Sequence, residues 1–113
     1  MLSEKAQQWF DIRFESKLML FIAPIKQPDK LPAIAHVDGT ARLQTMSHGD
    51  NPKVYQLIEA FEQITGVPVI LNTSLNDNGE PLVESPQDAI NFFKKNEVDL
   101  LVIEDRVFAR GEI

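Results

Sequence analysis

Two stretches of the chain carry a clear helical period. In 51–66, NPKVYQLIEAFEQITG, the apolar positions Val54, Leu57, Ile58, Phe61 and Ile64 recur on one face, which predicts an amphipathic helix. Asn51 can cap it, Pro52 suits the first helical position and Gly66 suits the exit. In 85–96, SPQDAINFFKKN, a Ser-Pro opening again predicts a helix, with Ala89, Ile90, Phe92 and Phe93 as its buried face. Lys94 and Lys95 fall in its last turn, where the helix dipole favours cations. The start of the chain predicts a third helix: Ser3 can cap it, and Leu2, Ala6, Trp9, Phe10 and Ile12 recur at roughly helical spacing.

The remaining apolar positions come as short runs. KLMLFIAPI (17–25), VPVILN (67–72) and VDLLVIED (98–105) are too short for buried helices and read as buried strands. KQPDKLP (26–32) holds two prolines and three charges and reads as a loop. In AIAHVDGTARLQTM (33–46), Asp38-Gly39 between β-branched flanks signals a tight turn, often a hairpin. RVFARGEI (106–113) reads as a last strand or a frayed tail. The order is helix, strand, loop, hairpin, helix, strand, polar loop, helix, strand. This predicts an α/β fold, or α+β, with helices packed on a mixed twisted sheet. No repeat, low-complexity segment or linker divides the sequence, so residues 1–113 are expected to form a single domain or part of one.

Composition narrows the function classes. The chain is 43% hydrophobic and 25% charged, ordinary for a globular domain, and its formal net charge of −6 speaks against broad nucleic-acid binding. With no cysteine there is no disulfide, thiolate nucleophile or thiolate metal ligand. No run approaches the ~18 apolar residues that suggest a spanning helix. MLSEKAQQWF carries an acid early and no apolar signal core, so no membrane role is expected and a cytoplasmic location is the default.

Two constellations could carry chemistry. In HVDGTARLQT, Gly39 lets the backbone turn sharply and expose amides, Thr40 offers a hydroxyl and Arg42 a planar fork that suits a phosphate or carboxylate. The plainer alternative is a hairpin whose surface Arg pairs with one of the many acids. In NTSLN, Ser74 and Asn76 share one face of an extended backbone and offer a hydroxyl beside an amide. The plainer alternative is a turn satisfying its own backbone. His36 and His48, twelve residues apart and without a His-Glu-x-x-His pattern, make a poor metal pair. His36 could pack in a strand or touch a ligand held by Arg42. Asp38, Asp50, Asp77 and Glu80 are either exposed acids or carboxylates able to bind Mg²⁺ through a nucleotide. No nucleotide-binding glycine motif, nucleophile elbow or Ser-His-Asp ordering is present.

Taken together, LPAIAHVDGTARLQT, FEQITGVPVILNTSLNDNGEPLVESPQDAINFF and VDLLVI resemble, in collinear order, the carboxy-terminal part of the nodulation and antibiotic-biosynthesis O-carbamoyltransferases. The resemblance runs from about residue 18 to 108, and DGTAR followed by NTSLNDNGEP is its specific signal. It implies a YrdC-like domain that uses ATP with Mg²⁺ and carbamoyl phosphate to form carbamoyl adenylate. It also implies a separate, metal-bearing transfer domain, not on this chain, that passes the carbamoyl group to a substrate hydroxyl. Carried over by motif, Arg42 would hold a phosphate or carbamoyl oxygen and Ser74 would contact carbamoyl phosphate or the adenylate. Asn76 would complete the Ser-x-Asn pair, with Asn72, Thr73, Thr40, Gly39 and His36 as further substrate-binding candidates. The family's upstream Lys-x-Arg-Glu and Arg-Pro-Phe-Ala-Pro-like segments have no counterpart in this sequence, and Leu75 stands where Phe is usual. The resemblance therefore implies a domain incomplete at its amino-terminal side, inactive in isolation, that works with a transfer domain or partner chain. The alternatives are a non-catalytic nucleotide- or anion-binding module and an interaction module. In the latter, Leu18, Leu20 and Ile22 would pair with another chain, a second copy included.

Overall fold

A computed structural model describes residues Met1–Ile113. The chain divides into two compact units, Met1–Leu71 and Asn72–Ile113. Both mix helix and strand, in keeping with the expected class, and the strands form two two-stranded antiparallel sheets, one in each unit.

The first unit opens with a 3-10 turn over Ser3–Lys5 that runs into a single helical turn, α1 (Ala6–Trp9). The expected long amino-terminal helix stops here because Phe10 turns extended, at φ −131° and ψ 149°, to bridge Ile25. Leu2 rather than Ser3 occupies the cap position, and no side chain caps it. The apolar spacing nonetheless marked the core correctly, since Leu2, Ala6, Trp9, Phe10 and Ile12 are all buried. The run at 17–25 becomes a strand only over β1 (Phe21–Pro24), and its burial is the reverse of expectation at several positions. Ala23 and Ile25 face the core, while Leu18, Leu20, Phe21 and Ile22 are exposed. The loop at 26–32 contains a 3-10 turn, Pro28–Lys30.

The Asp38-Gly39 turn is present, but the strand that follows it, β2 (Thr40–Leu43), does not pair with 33–37. It pairs antiparallel with β1, Phe21 opposite Leu43 and Pro24 opposite Thr40. Ala41 and Leu43 point into the core beside Ala23, Trp9, Phe10 and Leu31. Behind this hairpin, Ser16 and Thr45 are buried polar residues, 1% and 2% exposed. Each finds partners: the Ser16 amide donates to Thr45 Oγ1 at 2.8 Å, and the Ser16 hydroxyl lies 2.8 Å from the Leu43 carbonyl. Such satisfaction is what permits polar groups inside a core.

Helix α2 (Pro52–Thr65) begins and ends as the sequence predicts. Asn51 Oδ1 accepts from the Val54 amide at 3.2 Å. Gly66 exits at φ 74°, the left-handed region that a glycine enters without steric cost, and its amide donates to the Glu62 carbonyl. Of the apolar stripe, Ile58 is buried and Val54 half-buried, whereas Leu57, Phe61 and Ile64 are exposed. Residues 67–71, expected as a strand, form neither helix nor strand, with Pro68 and Val69 buried.

In the second unit, α3 (Pro86–Lys95) starts at a reciprocal box. The Ser85 hydroxyl accepts from the Asp88 amide, and Asp88 accepts from the Ser85 amide. Ala89 and Phe93 pack with Leu101 into a small core. Strands β3 (Leu100–Ile103) and β4 (Arg106–Ala109) pair antiparallel across the two-residue turn Glu104-Asp105, which confirms a final strand in place of a frayed tail.

The Ser16–Thr45 bond gives a test of the first unit. Thr45→Val keeps the shape but removes the acceptor from a buried amide, a loss worth about 1–3 kcal/mol. Urea unfolding followed by the fluorescence of Trp9, the sole tryptophan, should show a correspondingly lower midpoint at an unchanged slope. An unmoved midpoint would mean that this bond does not hold the segment.

Candidate functional site

The turn before β2 is built by short-range bonds. The Gly39 amide donates to the His36 carbonyl at 3.0 Å and the His36 amide donates to the Thr40 carbonyl at 2.7 Å. Gly39 sits at φ 78°, a left-handed conformation that explains glycine at this corner. Asp38 accepts from both the backbone amide and the hydroxyl of Thr40, at 3.1 and 2.7 Å. The hydroxyl bond, followed by the amide bond, holds the Asp38 carboxyl below the usual range. His36 Nδ1 lies 3.0 Å from the Thr40 hydroxyl.

Alternation along β2 then places the cation. With Ala41 and Leu43 buried, Thr40 and Arg42 occupy the opposite face, and Arg42 is exposed. The ion pairs of the chain all use lysines, namely Lys5 with Glu62, Lys17 with Glu15 and Asp50, and Lys95 with Asp77 and Glu80. Arg42 is paired with no carboxylate, so the alternative of a surface Arg tied to an acid does not hold. The two lysines of the 26–32 loop are engaged elsewhere: Lys26 Nζ donates to the Gln7 carbonyl, and Lys30 lies 5.8 Å from the centre of the Trp9 ring.

The second group of expected residues lies at the start of the second unit. Asn72, Thr73 and Ser74 are exposed and lie outside any helix or strand. The hydroxyls of Thr73 and Ser74 make no hydrogen bond within the chain. Immediately after Ser74 the backbone closes a loop, the Val83 amide donating to the Leu75 carbonyl at 3.0 Å. Asn76 braces this loop from inside, its Nδ2 donating to the carbonyls of Glu80 at 3.0 Å and Asp77 at 3.2 Å. Its Oδ1 is buried without a partner. The loop is also tied to the end of α3, where Lys95 Nζ lies 2.7 Å from Asp77 Oδ2 and 3.2 Å from Glu80 Oε1. Sequence reasoning assigned Lys95 only to the helix dipole. No local signal links it to acids 15 and 18 positions away.

His36, Gly39, Thr40 and Arg42 are thus gathered on one turn and strand of the first unit, and Asn72, Thr73, Ser74 and Asn76 on one segment of the second. The acids considered for Mg²⁺ are each engaged internally: Asp38 by Thr40, Asp50 by Ser47 and Lys17, Asp77 and Glu80 by Lys95. No three His, Asp or Glu side chains cluster as a ligand set. A cleft of about 410 Å³ in the first unit is lined by Leu31, Ile34, Phe61, Val67, Val69 and Leu71, among others. None of the residues singled out from the sequence lines it, and its walls suit apolar matter rather than an anion. No helix is long and apolar enough to cross a membrane.

Comparison with known proteins assigns the family. The chain belongs to the family described as Carbamoyltransferase C-terminus, which matches residues 1–110. It is 43% identical over 107 residues to nodulation protein NolNO of Sinorhizobium fredii, a match covering 90% of this chain and 16% of that protein. It is 41% identical over 107 residues to nodulation protein NolO of Bradyrhizobium diazoefficiens, covering 90% of this chain and 20% of that protein. A 3'-hydroxymethylcephem-O-carbamoyltransferase from Amycolatopsis lactamdurans is 35% identical over 99 residues, covering 88% of this chain and 19% of that enzyme. The chain therefore spans a fifth or less of the length of these relatives.

The Lys95 clamp makes a pH-dependent prediction. The hydrogen bond from Lys95 is the largest influence on Asp77 and lowers its carboxyl pKa. A carboxyl lowered by folding contributes stability above its unfolded pKa, and that contribution is lost as pH falls through the folded pKa. The loop should accordingly stay clamped at pH 5 and open only below the ordinary carboxylate range. Carbon-13 titration of Asp77 should give a midpoint below that of an unfolded aspartate, and Lys95→Met should move it upward. A midpoint indifferent to Lys95→Met would mean the pair does not form.

Proposed function

We propose that this chain is the part of a carbamoyltransferase that binds carbamoyl phosphate and ATP and forms carbamoyl adenylate, the carbamoyl group then passing to a hydroxyl acceptor on a transfer domain. The observation that carries this reading is Arg42: an exposed guanidinium, free of protein carboxylates, beside the Gly39 turn of a chain in the carbamoyltransferase C-terminal family. A cation left unpaired in a molecule of net charge −6 is available to an external anion. Its fork can take two oxygens of a phosphoryl group, and fixed positive charge there stabilises negative charge that develops during phosphoryl or adenylyl transfer.

In the second unit, Ser74 is a candidate contact in its own right. Its hydroxyl has no bond within the chain and can both donate to an oxyanion and accept from an amide. The residues present fit a phosphorylated substrate better than they fit a bound metal ion, because the candidate carboxylates already have partners. Mg²⁺ would then arrive with the nucleotide, whose phosphates supply most of its ligands.

Isothermal calorimetry with carbamoyl phosphate tests the assignment. Arg42→Ala should weaken binding about 10- to 100-fold, the loss expected for one charge-assisted fork. Ser74→Ala should weaken it less, by about fivefold. Binding that survives Arg42→Ala unchanged would remove the anion site from this strand and the proposal with it.

A further inference from the structure

The side chains of Asp38, Thr40 and His36 form a hydrogen-bonded series whose direction can be deduced. Thr40 Oγ1 donates to Asp38 Oδ1 at 2.7 Å, and the Thr40 amide donates to the same oxygen at 3.1 Å. Both bonds favour the ionised carboxylate, which can only accept. A hydroxyl has one proton, and Thr40 has spent it. Toward His36 Nδ1, 3.0 Å away, the Thr40 oxygen must therefore accept. Nδ1 carries the ring proton, and in the neutral ring Nε2 is a bare lone pair. The ring is anchored from its backbone as well, through the 2.7 Å bond from the His36 amide to the Thr40 carbonyl.

The series lies on the same side of the hairpin as the free cation. Thr40 and Arg42 are two apart on β2 and share its outward face, and His36 is exposed. This face thus offers a guanidinium for an anion and, one residue pair away, a hydrogen-bond acceptor of fixed tautomer. A ligand matching both has a phosphoryl group and an N–H close to it. Carbamoyl phosphate has that constitution, with an amide NH₂ on the carbon that bears the phosphate. Acetyl phosphate has nearly the same size and charge but a methyl group there.

We propose that His36 determines specificity for the carbamoyl group, Nε2 accepting a hydrogen bond from its NH₂, and that Asp38 and Thr40 are positioning residues that hold the ring as the Nδ1–H tautomer. This rests on the carbamoyl phosphate reading above and adds to it the means of discrimination. A site built to pair an N–H rejects an analogue that lacks it, because the acceptor is left without a partner.

Two measurements on the chain test it. Long-range proton–nitrogen NMR at pH 8, with His48 as internal reference, should find the proton of His36 on Nδ1, and Thr40→Val should release it to a mixture of tautomers. An Nε2–H ring in the unmodified chain overturns the proposal. Calorimetry at pH 8 with carbamoyl phosphate, acetyl phosphate and inorganic phosphate supplies the second arm. Carbamoyl phosphate should bind about 5- to 10-fold tighter than acetyl phosphate, the ratio for one neutral hydrogen bond. His36→Phe should erase this ratio while leaving inorganic phosphate binding unchanged. Equal binding of the two acyl phosphates, or a ratio that survives His36→Phe, overturns the role of His36 and leaves the carbamoyl phosphate reading standing. Failure of all three phosphates to bind overturns that reading, and the discrimination with it.

Discussion

Arg42 faces outward because Ala41 and Leu43 face inward. The pairing of β2 with β1 fixes that alternation, since a slip of one residue would bury the guanidinium and expose two core side chains. The register is held from several sides. Ala23 lies opposite Ala41 on the core face, and Ser16 and Thr45 tie the flanking segments together in the interior. The Asp38-Gly39 corner meets β2 at Thr40, so the same ladder that orients Arg42 also orients the Asp38–Thr40–His36 series. Chemistry on this face is a consequence of how the core beneath it packs.

In the second unit the fixed element is a loop. Nine residues from Leu75 to Val83 close on a backbone bond, with Asn76 bracing the interior and Lys95 anchoring two acids from α3. Ser74 stands at the threshold of this closure. A serine preceding a free chain end or an unsupported loop would sample many orientations, and ordering it on a ligand would cost entropy. Here the backbone that follows Ser74 is already closed by the fold. The four turn-prone residues Asn76, Asp77, Asn78 and Gly79 are consistent with this role, since a loop so tightly closed needs local turns and a left-handed Gly79 at φ 79°.

What could be read from the sequence followed how local its cause is. The boundaries of α2 and α3 were legible because their caps are set within three or four residues: Asn51, Pro52 and Gly66 for one, Ser85 and Pro86 for the other. The Asp38-Gly39 turn was legible for the same reason. Strand partners were not, because pairing is decided across the chain. Residues 33–37 flank the turn with suitable side chains, yet β2 is claimed by β1, and 67–71 joins no sheet. Apolar character also overstated burial. Leu18, Leu20, Ile22, Leu57 and Ile64 are exposed, since two-stranded sheets and one helix cannot cover every apolar face. At the site, residue types were visible in DGTAR and NTSLN, but the freedom of Arg42, the brace of Asn76 and the clamp of Lys95 depend on distances that spacing does not encode.

An acidic molecule can hold an anion only where its own acids are otherwise occupied. Net charge alone would disfavour phosphate here, yet at physiological salt the influence of a surface charge fades over about 8 Å, so the local arrangement decides. Several carboxylates of the first unit are engaged with other groups: Asp38 with Thr40, Asp50 with Ser47 and Lys17, Glu62 with Lys5, and Glu4 with the Tyr55 hydroxyl. Lys5, Lys17 and Lys95 serve as internal counterions, which leaves the planar fork of Arg42 without a carboxylate and open to an external ligand. Asp38 is the telling case. It lies closest in sequence to Arg42 and could have neutralised it, but two bonds from Thr40 turn its carboxylate toward the turn, where it orders a histidine instead. The same acid thereby leaves the cation free and prepares the neighbouring acceptor.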